Sequence, residues 1–288
     1  MVKEYVEIVL KNTPEVSNMN MEHFASSWNN SKKYYSIEEK FWNERAEEFN
    51  RKDIKEKEAR EFSAILDFIE VGQDARFENV LDIGCGTGFY SIQFSEISDY
   101  VVATDISENM LNYAENNSKA KCRYNIAFVK RPWSELEEFQ WKEKFDLVFA
   151  SMTPAIDSYE DLMKMINCGK NLYFLSGFVE RKDSLKDEIS RIILGPHSNS
   201  SNRGKIYNAF NILWNIGYYP KISYKDSSWE RCKPIHKFYE EFLSYFERKK
   251  ILTEEEKTAI KDYIESKAVN GIVEEKITAK VAWLYWKK

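Results

Sequence analysis

The chain has 288 residues, of which 43% are hydrophobic and 31% charged, so it can bury one large core or two small ones. Its net charge is −5, so the chain lacks the excess of basic residues that is typical of nucleic-acid-binding proteins. No apolar run approaches the roughly 20 residues of a membrane-spanning helix, and no signal-peptide pattern opens the chain, so we expect a cytoplasmic protein without membrane contact. The four cysteines are far apart, which predicts neither a metal site nor a disulfide framework.

The first 75 residues have helical periodicity and predict an N-terminal helical cap. A capping-box pattern stands at Ser36-Ile37-Glu38-Glu39, and Phe41, Trp42 and Phe49 follow it at helical spacing. On residue types alone, this stripe predicts a face that packs on a core. The helical candidates of this part are Lys3–Lys11, Met19–Asn30, the segment after Ser36, and Ile54–Val71.

The segment from Asn79 to Tyr90, NVLDIGCGTGFY, predicts a strand, a tight loop and a helix. Glycines at every second position reduce the loop to bare backbone, so a ligand can approach peptide N–H groups and the positive end of the helix. The spacing differs from the dinucleotide fingerprint G-x-G-x-x-G, whose third glycine would fall at Phe89. The loop therefore suits a nucleotide-like cofactor other than a dinucleotide.

A second predicted strand, Tyr100–Thr104, ends in Asp105. An acidic residue at this place, about twenty positions beyond a glycine loop, accepts both hydroxyls of a ribose. The alternative is a helix-capping aspartate, but Ser107 already supplies a cap for the helix that follows. The combination of glycine loop and acid favours the ribose role.

The pattern D-x-G-x-G-x-G after a hydrophobic strand resembles the first motif of the class I S-adenosylmethionine (SAM) dependent methyltransferases. The runs Asp105–Leu111 and Phe145–Val148 also resemble the family. The resemblance implies an α/β, three-layer, doubly wound seven-stranded sheet, the Rossmann-like methyltransferase fold, with SAM as cofactor. It also implies a set of cofactor-binding residues: Phe41, Trp42, Asp82, Gly84, Cys85, Gly86, Gly88, Asp105, Ile106, Met110, Arg131, Trp133, Ser151 and Met152.

Within this set the resemblance assigns different parts of the cofactor. The glycine loop would shape the methionine side, Asp82 would fix the geometry of the loop, and Ile106 would border the adenine. The loop Ser151–Ala155 would face the methyl group. Phe41 and Trp42 would help to cover the cofactor, an interpretation that stands beside the core-facing stripe.

One position departs from the family. Arg131 follows the third predicted strand, where the family usually has an aspartate that binds the adenine amino group. A guanidinium cannot accept that hydrogen bond, so backbone carbonyls would have to replace it. Trp133 either stacks on the base or packs in the core.

The resemblance assigns residues 76–288 to the SAM-binding domain, with a helical insertion at about 232–270. Phe238, Phe242 and Phe246 recur at spacing four within that insertion, and Ile277–Trp286 predicts a last buried strand. The family ends with such a strand, antiparallel to the others.

The predicted function is methyl transfer from SAM to a small-molecule acceptor whose nucleophilic atom (S, N or O) the sequence does not specify. The alternative is a SAM-binding sensor or scaffold without catalysis. Candidate general bases are Tyr159 and His197, neither of which has a partner in the sequence, and this favours an acceptor that is already nucleophilic. No nucleic-acid partner is expected, and the oligomeric state stays open.

Overall fold

The computed structural model describes residues 23–28, 35–72, 74–137, 140–196 and 203–288. Within these ranges, seven strands form one sheet in the order β3-β2-β1-β4-β5-β7-β6. The strands are β1 (Phe77–Ile83), β2 (Ser98–Asp105), β3 (Ile126–Lys130), β4 (Phe145–Ala150), β5 (Gly169–Asp183), β6 (Lys221–Pro234) and β7 (Ile272–Lys287).

The helices of the described ranges alternate with the strands in the first half and group together in the second. They are α1 (Tyr35–Phe49), α2 (Lys52–Phe68), α3 (Phe89–Phe94), α4 (Glu108–Ala120), α5 (Tyr159–Cys168), α6 (Lys186–Leu194), α7 (Arg203–Asn215), α8 (Ile235–Glu247) and α9 (Glu254–Ser266), with a short 3₁₀ turn at Trp133–Glu135. None of the helices in the described ranges is long and apolar enough to cross a membrane.

The sheet is covered on both faces, which confirms the predicted three-layer fold. Strands β1 to β5 run parallel, and β7 is antiparallel to both β5 and β6. Alternate residues of β1 enter different cores, since Leu81 and Ile83 pack with Met165 and Ile212 on one face while Val80 packs with Ile65 on the other. A parallel strand that is buried on both sides carries apolar residues on both of its faces.

A second core stands on the last strands of the sheet. It joins α6, α8 and α9, and its centre is the stripe Phe238, Phe242 and Phe246, each at most 2% exposed. The predicted insertion began at about residue 232, but Leu185 and Ile189 belong to the same core. The insertion therefore includes the earlier helix α6 and rests on unusually long strands.

Helix α1 lies between the two halves of the molecule. Its Asn43 side-chain oxygen accepts hydrogen bonds from the Ser107 hydroxyl at 2.7 Å and from the Asn109 backbone at 3.0 Å, at the start of α4. On its other side, Arg45 pairs with Glu241 of α8 at 2.9 Å. The helix is thus anchored both to the Rossmann-like half and to the second core.

Candidate functional site

A cavity of about 850 Å³ opens where strands β1, β2 and β4 end. In an open α/β sheet this is the edge at which ligands bind. Helix α1 covers the cavity with Trp42, Arg45 and Phe49, and β5 and β6 add Phe178 and Trp229 to its wall.

The glycine loop combines left-handed backbone with a close approach to the β4 loop. Gly84, Gly86 and Gly88 have φ values of 69°, 54° and 81°. A methyl group on Gly84 would stand 1.9 Å from the Thr153 hydroxyl, whereas nothing lies within 4 Å of the same position on Gly86. Gly84 is therefore required for packing, and Gly86 leaves open space on the cavity side of the loop.

Asp105 is held in place by the loops on both sides of it. Its two carboxylate oxygens accept hydrogen bonds from the backbone N–H of Gly86 at 2.9 Å and of Ser107 at 2.8 Å. Burial raises the pKa of this carboxyl, while these two bonds act in the opposite direction. Because each oxygen has a further lone pair, the carboxylate can still accept two hydroxyl groups from a ligand in the cavity.

Asp82 supports the loop from below. It is 2% exposed, and its carboxylate accepts a hydrogen bond from the Ser91 hydroxyl at 2.5 Å. Burial raises the pKa of Asp82 to about 7, and the nearby charge of Asp105 adds to the shift. Burial also raises the pKa of the neighbouring Cys85 thiol, so this cysteine is an unreactive small residue.

Ile106, Met110, Arg131 and Trp133 all line the part of the cavity beyond Asp105. Trp133 is 4% exposed, and its indole N–H donates to the Asp161 carbonyl oxygen at 3.1 Å. This bond fixes the ring in the core cluster around it, which favours packing over stacking on a base.

Ser151 and Met152 line the cavity beside the glycine loop. The Ser176 hydroxyl lies 3.2 Å from the Ser151 hydroxyl and accepts a hydrogen bond from the Met152 backbone at 2.9 Å. Met152 has a φ of 51° and is 40% exposed. A left-handed methionine that is held by a buried serine is a strained feature next to the cavity.

Three predicted site residues lie away from the cavity. Phe41 is buried, and the guanidinium carbon of Arg248 lies 4.0 Å from the centre of the Phe41 ring. This environment favours the core-facing interpretation for Phe41. Gly88 lets the loop pack against Ala114, which would lie 2.8 Å from an added methyl group. Tyr159 begins α5 and packs on the core, and His197 lies outside the described residues.

Of the wall that β5 and β6 build, the sequence indicated only Trp229, as one of several aromatic residues beyond Gly195 that could form an acceptor pocket. Phe178, Arg181, Trp229 and Arg231 line the cavity there. The aromatic residues Tyr207, Trp214, Tyr219 and Tyr224 are at least 53% exposed, and none of them lines this cavity. Aromatic composition alone did not distinguish Trp229 from these residues.

Residues 76–193 match the family model described as a methyltransferase domain. The match identifies residues 76–193 as a methyltransferase domain, and it supports the predicted class I SAM-dependent family with SAM as the cofactor. The chain is 31% identical over 83 residues to malonyl-[acyl-carrier protein] O-methyltransferase of Buchnera aphidicola, which covers 26% of this chain and 33% of that protein.

A probable cobalt-precorrin-6B C(15)-methyltransferase (decarboxylating) of Methanococcus maripaludis is 33% identical over 88 residues, 31% of this chain and 47% of that one. The chain thus spans less than half the length of these curated relatives. Coclaurine N-methyltransferase, solved with N-methylheliamine and S-adenosylhomocysteine (SAH), superposes with a TM-score of 0.52 at 14% identity over 95% of this chain and 88% of that one. At this identity the likeness shows the fold alone.

The cavity fits a nucleoside cofactor by its own geometry. The partly buried Asp105 carboxylate, which has spare acceptor capacity, lies at the end of β2 and accepts the backbone N–H of Gly86, and nothing lies within 4 Å of the Cβ position of that glycine. The volume of about 850 Å³ lies within the usual range for small-molecule sites. In the described part of the chain, no group of three or more His, Cys, Asp or Glu residues is placed to bind a metal ion.

Proposed function

We propose that this protein is a SAM-dependent methyltransferase that acts on a small-molecule acceptor. The observation that carries the proposal is Asp105, a partly buried carboxylate that the glycine loop orients at the end of β2 inside one large cavity. The curated relatives are named as methyltransferases, and the solved coclaurine N-methyltransferase is bound to N-methylheliamine and SAH. Both facts support the proposal.

Each part of the loop has a distinct role in the proposed cofactor site. Asp105 accepts the ribose hydroxyls, and Gly86 offers bare backbone to the methionine portion. Ile106 and Met110 border the base on its apolar side. Asp82 acts through Ser91 and positions the loop without needing to touch the ligand.

SAM, when bound, supplies an electrophilic methyl group for in-line displacement. The chain contributes orientation: the loop Ser151–Ala155 and helix α1 both line the cavity, and they would shield the reacting groups from water. Holding two reacting atoms about 3–3.5 Å apart supplies much of the rate acceleration of such a reaction.

The described lining of the cavity contains no histidine or lysine side chain. Asp157 and Glu160 are present, but a carboxylate is a poor base for an alcohol. Tyr159 lies outside the lining. We therefore propose that the acceptor arrives as a competent nucleophile, such as a neutral amine or a thiolate.

The test is methyl transfer from isotope-labelled SAM to the low-molecular-mass fraction of a cell extract. We expect labelled product and SAH in equal amounts, and loss of both with Asp105→Ala. Tight SAM binding without turnover on any fraction would instead support a non-catalytic SAM-binding protein. Tyr159→Phe should change turnover by much less than the roughly hundredfold effect of losing a general base.

A further inference from the structure

The wall that β5 and β6 contribute to the cavity contains an arginine clamped on two aromatic rings. The Arg181 guanidinium carbon lies 5.0 Å from the centre of the Phe178 ring and 5.4 Å from that of Trp229. The two rings are 6.4 Å apart and nearly parallel, at 26°. All three residues line the cavity.

The backbone explains why these residues meet. A register shift between Phe178 and Glu180 places one extra residue in β5, so Phe178 pairs with Val281 and Arg181 with Ala279 of β7. Residues 281 and 279 share a face of β7, and the bulge thus turns Phe178 to the same face as Arg181. The small Ala279 and, beyond it, Ser227 of β6 leave room for the long arginine side chain.

Asp183 fixes the orientation of the guanidinium. Its side chain is 1% exposed, and its carboxylate accepts hydrogen bonds from Nε of Arg181 at 2.7 Å and from Nη2 at 2.8 Å. Burial raises the pKa of Asp183, but the hydrogen bond from Arg181 and the charge of Lys186 outweigh it, and the net shift is downward. Nη1 of Arg181 donates no hydrogen bond to any described residue, so this end of the fork is available to a ligand.

Of the two arginines in this wall, Arg181 has the free donor, since Arg231 uses Nε, Nη1 and Nη2 in its own ion pairs. Lys186 also binds Asp183, at 2.6 Å, and the Asp187 carboxylate accepts the Asp183 N–H at 3.0 Å, so two cations and two carboxylates lie together there. The adjoining cluster is balanced, with Arg45, Arg231 and Lys233 against Glu48, Glu241 and Glu275. Glu230 also lines the cavity, but its side chain is 60% exposed and pairs with Lys276 at 3.5 Å, so solvent screens its charge.

We propose that this wall binds the methyl acceptor and that the acceptor carries a carboxylate on a flat apolar body. Nη1 of Arg181 holds the carboxylate, and the ring edges of Phe178 and Trp229 contact the apolar part. The assignment rests on the proposed function, since it names the substrate class of the same cavity. It makes Arg181 a specificity-determining residue of the cavity.

The probes for the test are 3-phenylpropanoate and its neutral amide, 3-phenylpropanamide, whose binding is measured by calorimetry with and without SAH. Wild-type protein should bind the carboxylate about tenfold tighter than the amide, because a charge-assisted bond is lost with the amide. Arg181→Gln should reduce that preference to less than twofold. Trp229→Ala should weaken both probes equally.

Two controls separate the local contact from general effects. Arg76→Gln removes one positive charge from a solvent-exposed pair at the start of β1 and should leave the preference unchanged. Arg181→Lys keeps the positive charge but not the planar guanidinium, so it should retain part of the preference. This variant keeps the proposal testable if Arg181→Gln does not fold. SAH affinity of the same samples is measured separately.

Equal affinity of wild-type protein for the two probes, or no binding of either at millimolar concentration, would overturn the acceptor assignment. A preference that survives in Arg181→Gln would overturn it as well. A carboxylate preference that depends on Arg181 in a protein that fails to bind SAH would instead contradict the proposed function and leave the anion site standing. The two proposals thus fail through different measurements.

Discussion

At the residue scale, the three glycines of the loop have different functions although the sequence presents them as one motif. Gly84 and Gly88 allow close packing, against Thr153 and Ala114 respectively. Gly86 has space on its open side and hydrogen-bonds Asp105 through its backbone. The repeat therefore marks a single loop in which Gly84 and Gly86 line the cavity, and of these two only Gly86 has free space at its Cβ position.

This division predicts different outcomes for two similar variants. Gly84→Ala should lower the unfolding temperature strongly, because the added methyl group overlaps the Thr153 side chain. Gly86→Ala should cost only about 1–2 kcal/mol of backbone strain but weaken SAH binding tenfold or more, since the methyl group would stand in the space of the ligand. Thermal melts and calorimetry on both variants check this. Equal effects of the two variants on both quantities would contradict the separate roles.

Asp82 predicts a pH dependence of stability. Its pKa is raised to about 7 in the folded chain, so between about pH 4 and pH 7 the folded state holds a proton that the unfolded state has released. Stability from this group is therefore lost as the pH rises through that window. Asp82→Asn is neutral throughout and should avoid the loss.

The free energy of unfolding of Asp82→Asn minus that of wild type should accordingly increase from pH 5 to pH 8, by on the order of 2 kcal/mol. Taking the difference cancels the titration of all other groups. Urea titrations of ligand-free protein at the two pH values measure it. A difference that is the same at both values would show that Asp82 is already ionised at pH 5 in the fold.

At the element scale, local signals predicted some helix ends and failed at others. Ser107 accepts the Met110 N–H at 3.1 Å as a cap should, and Thr253 with Glu256 forms the complete capping box that opens α9. Helix α1, however, begins at Tyr35, so Ser36 lies within its first turn. Glu39 pairs with Lys130 at 2.7 Å, a tertiary contact that no local pattern contains.

The position of α1 over the cavity predicts a ligand-dependent protection of this helix. Its Asn43 binds Ser107, two residues beyond Asp105, so a ligand on Asp105 should also hold the helix in place. Backbone amides of Tyr35–Phe49 should exchange several-fold more slowly when SAH is added.

Helix α9 serves as the internal control, because it packs in the second core and does not line the cavity. Its exchange rates should not change on addition of SAH. Unchanged rates in α1, with SAH binding shown in the same sample, would mean that this helix is a fixed part of the scaffold and not a cover that responds to the cofactor.

Strands β5 and β6 show why the acceptor wall could not be predicted from the sequence. The sequence indicates the apolar first part of each strand, but β5 extends to Asp183 and β6 to Pro234 through charged residues. Some of these pair across the sheet, such as Arg231 with Glu275 and Asp226 with Lys280. The bulge near Phe178 depends on the register with β7, which is about a hundred residues away. The face on which Arg181 lies is set by that non-local pairing.

At the whole-molecule scale, the α/β alternation and the motifs predicted seven strands and their topology class correctly. Strands and helices follow each other at short intervals up to β5, and this order alone dictates a parallel sheet with two covered faces. The predicted insertion at about 232–270 contains α8 and α9 but not α6, which packs with them, because α7 and β6 separate α6 from these helices along the chain.

A buried ion network joins this second core to the sheet and predicts a large effect of one substitution. Arg231 is bound to Glu241 at 2.7 Å and to Glu275, whose side chain is fully buried. Burial raises the pKa of Glu241, but Arg45, Arg231 and Lys233 outweigh it and lower that pKa to about 2. Each charge in the network therefore depends on the others.

Arg231→Leu should lower the free energy of unfolding by about 3–5 kcal/mol, because it leaves a buried carboxylate without its partner. Lys276→Met is the matched control on β7, since Lys276 is 67% exposed and pairs weakly with Glu230 and Glu274. The free energy of unfolding of this control variant should be lower than that of the wild type by less than about 1 kcal/mol. Urea titration compares the two variants. A loss of less than about 1 kcal/mol for Arg231→Leu would show that the network does not support the second core.

The central claim, that this cavity binds SAM through Asp105, is tested most directly by isothermal calorimetry of SAH with wild-type protein and Asp105→Ala. A lost hydrogen bond to a charged acceptor costs about 1.5–3 kcal/mol, so we predict one site per chain in the wild type and an affinity at least tenfold lower in the variant. Asp99→Ala, an exposed aspartate at the far end of β2, should bind SAH like the wild type. The account would be contradicted by an SAH affinity that is the same in Asp105→Ala as in wild-type protein.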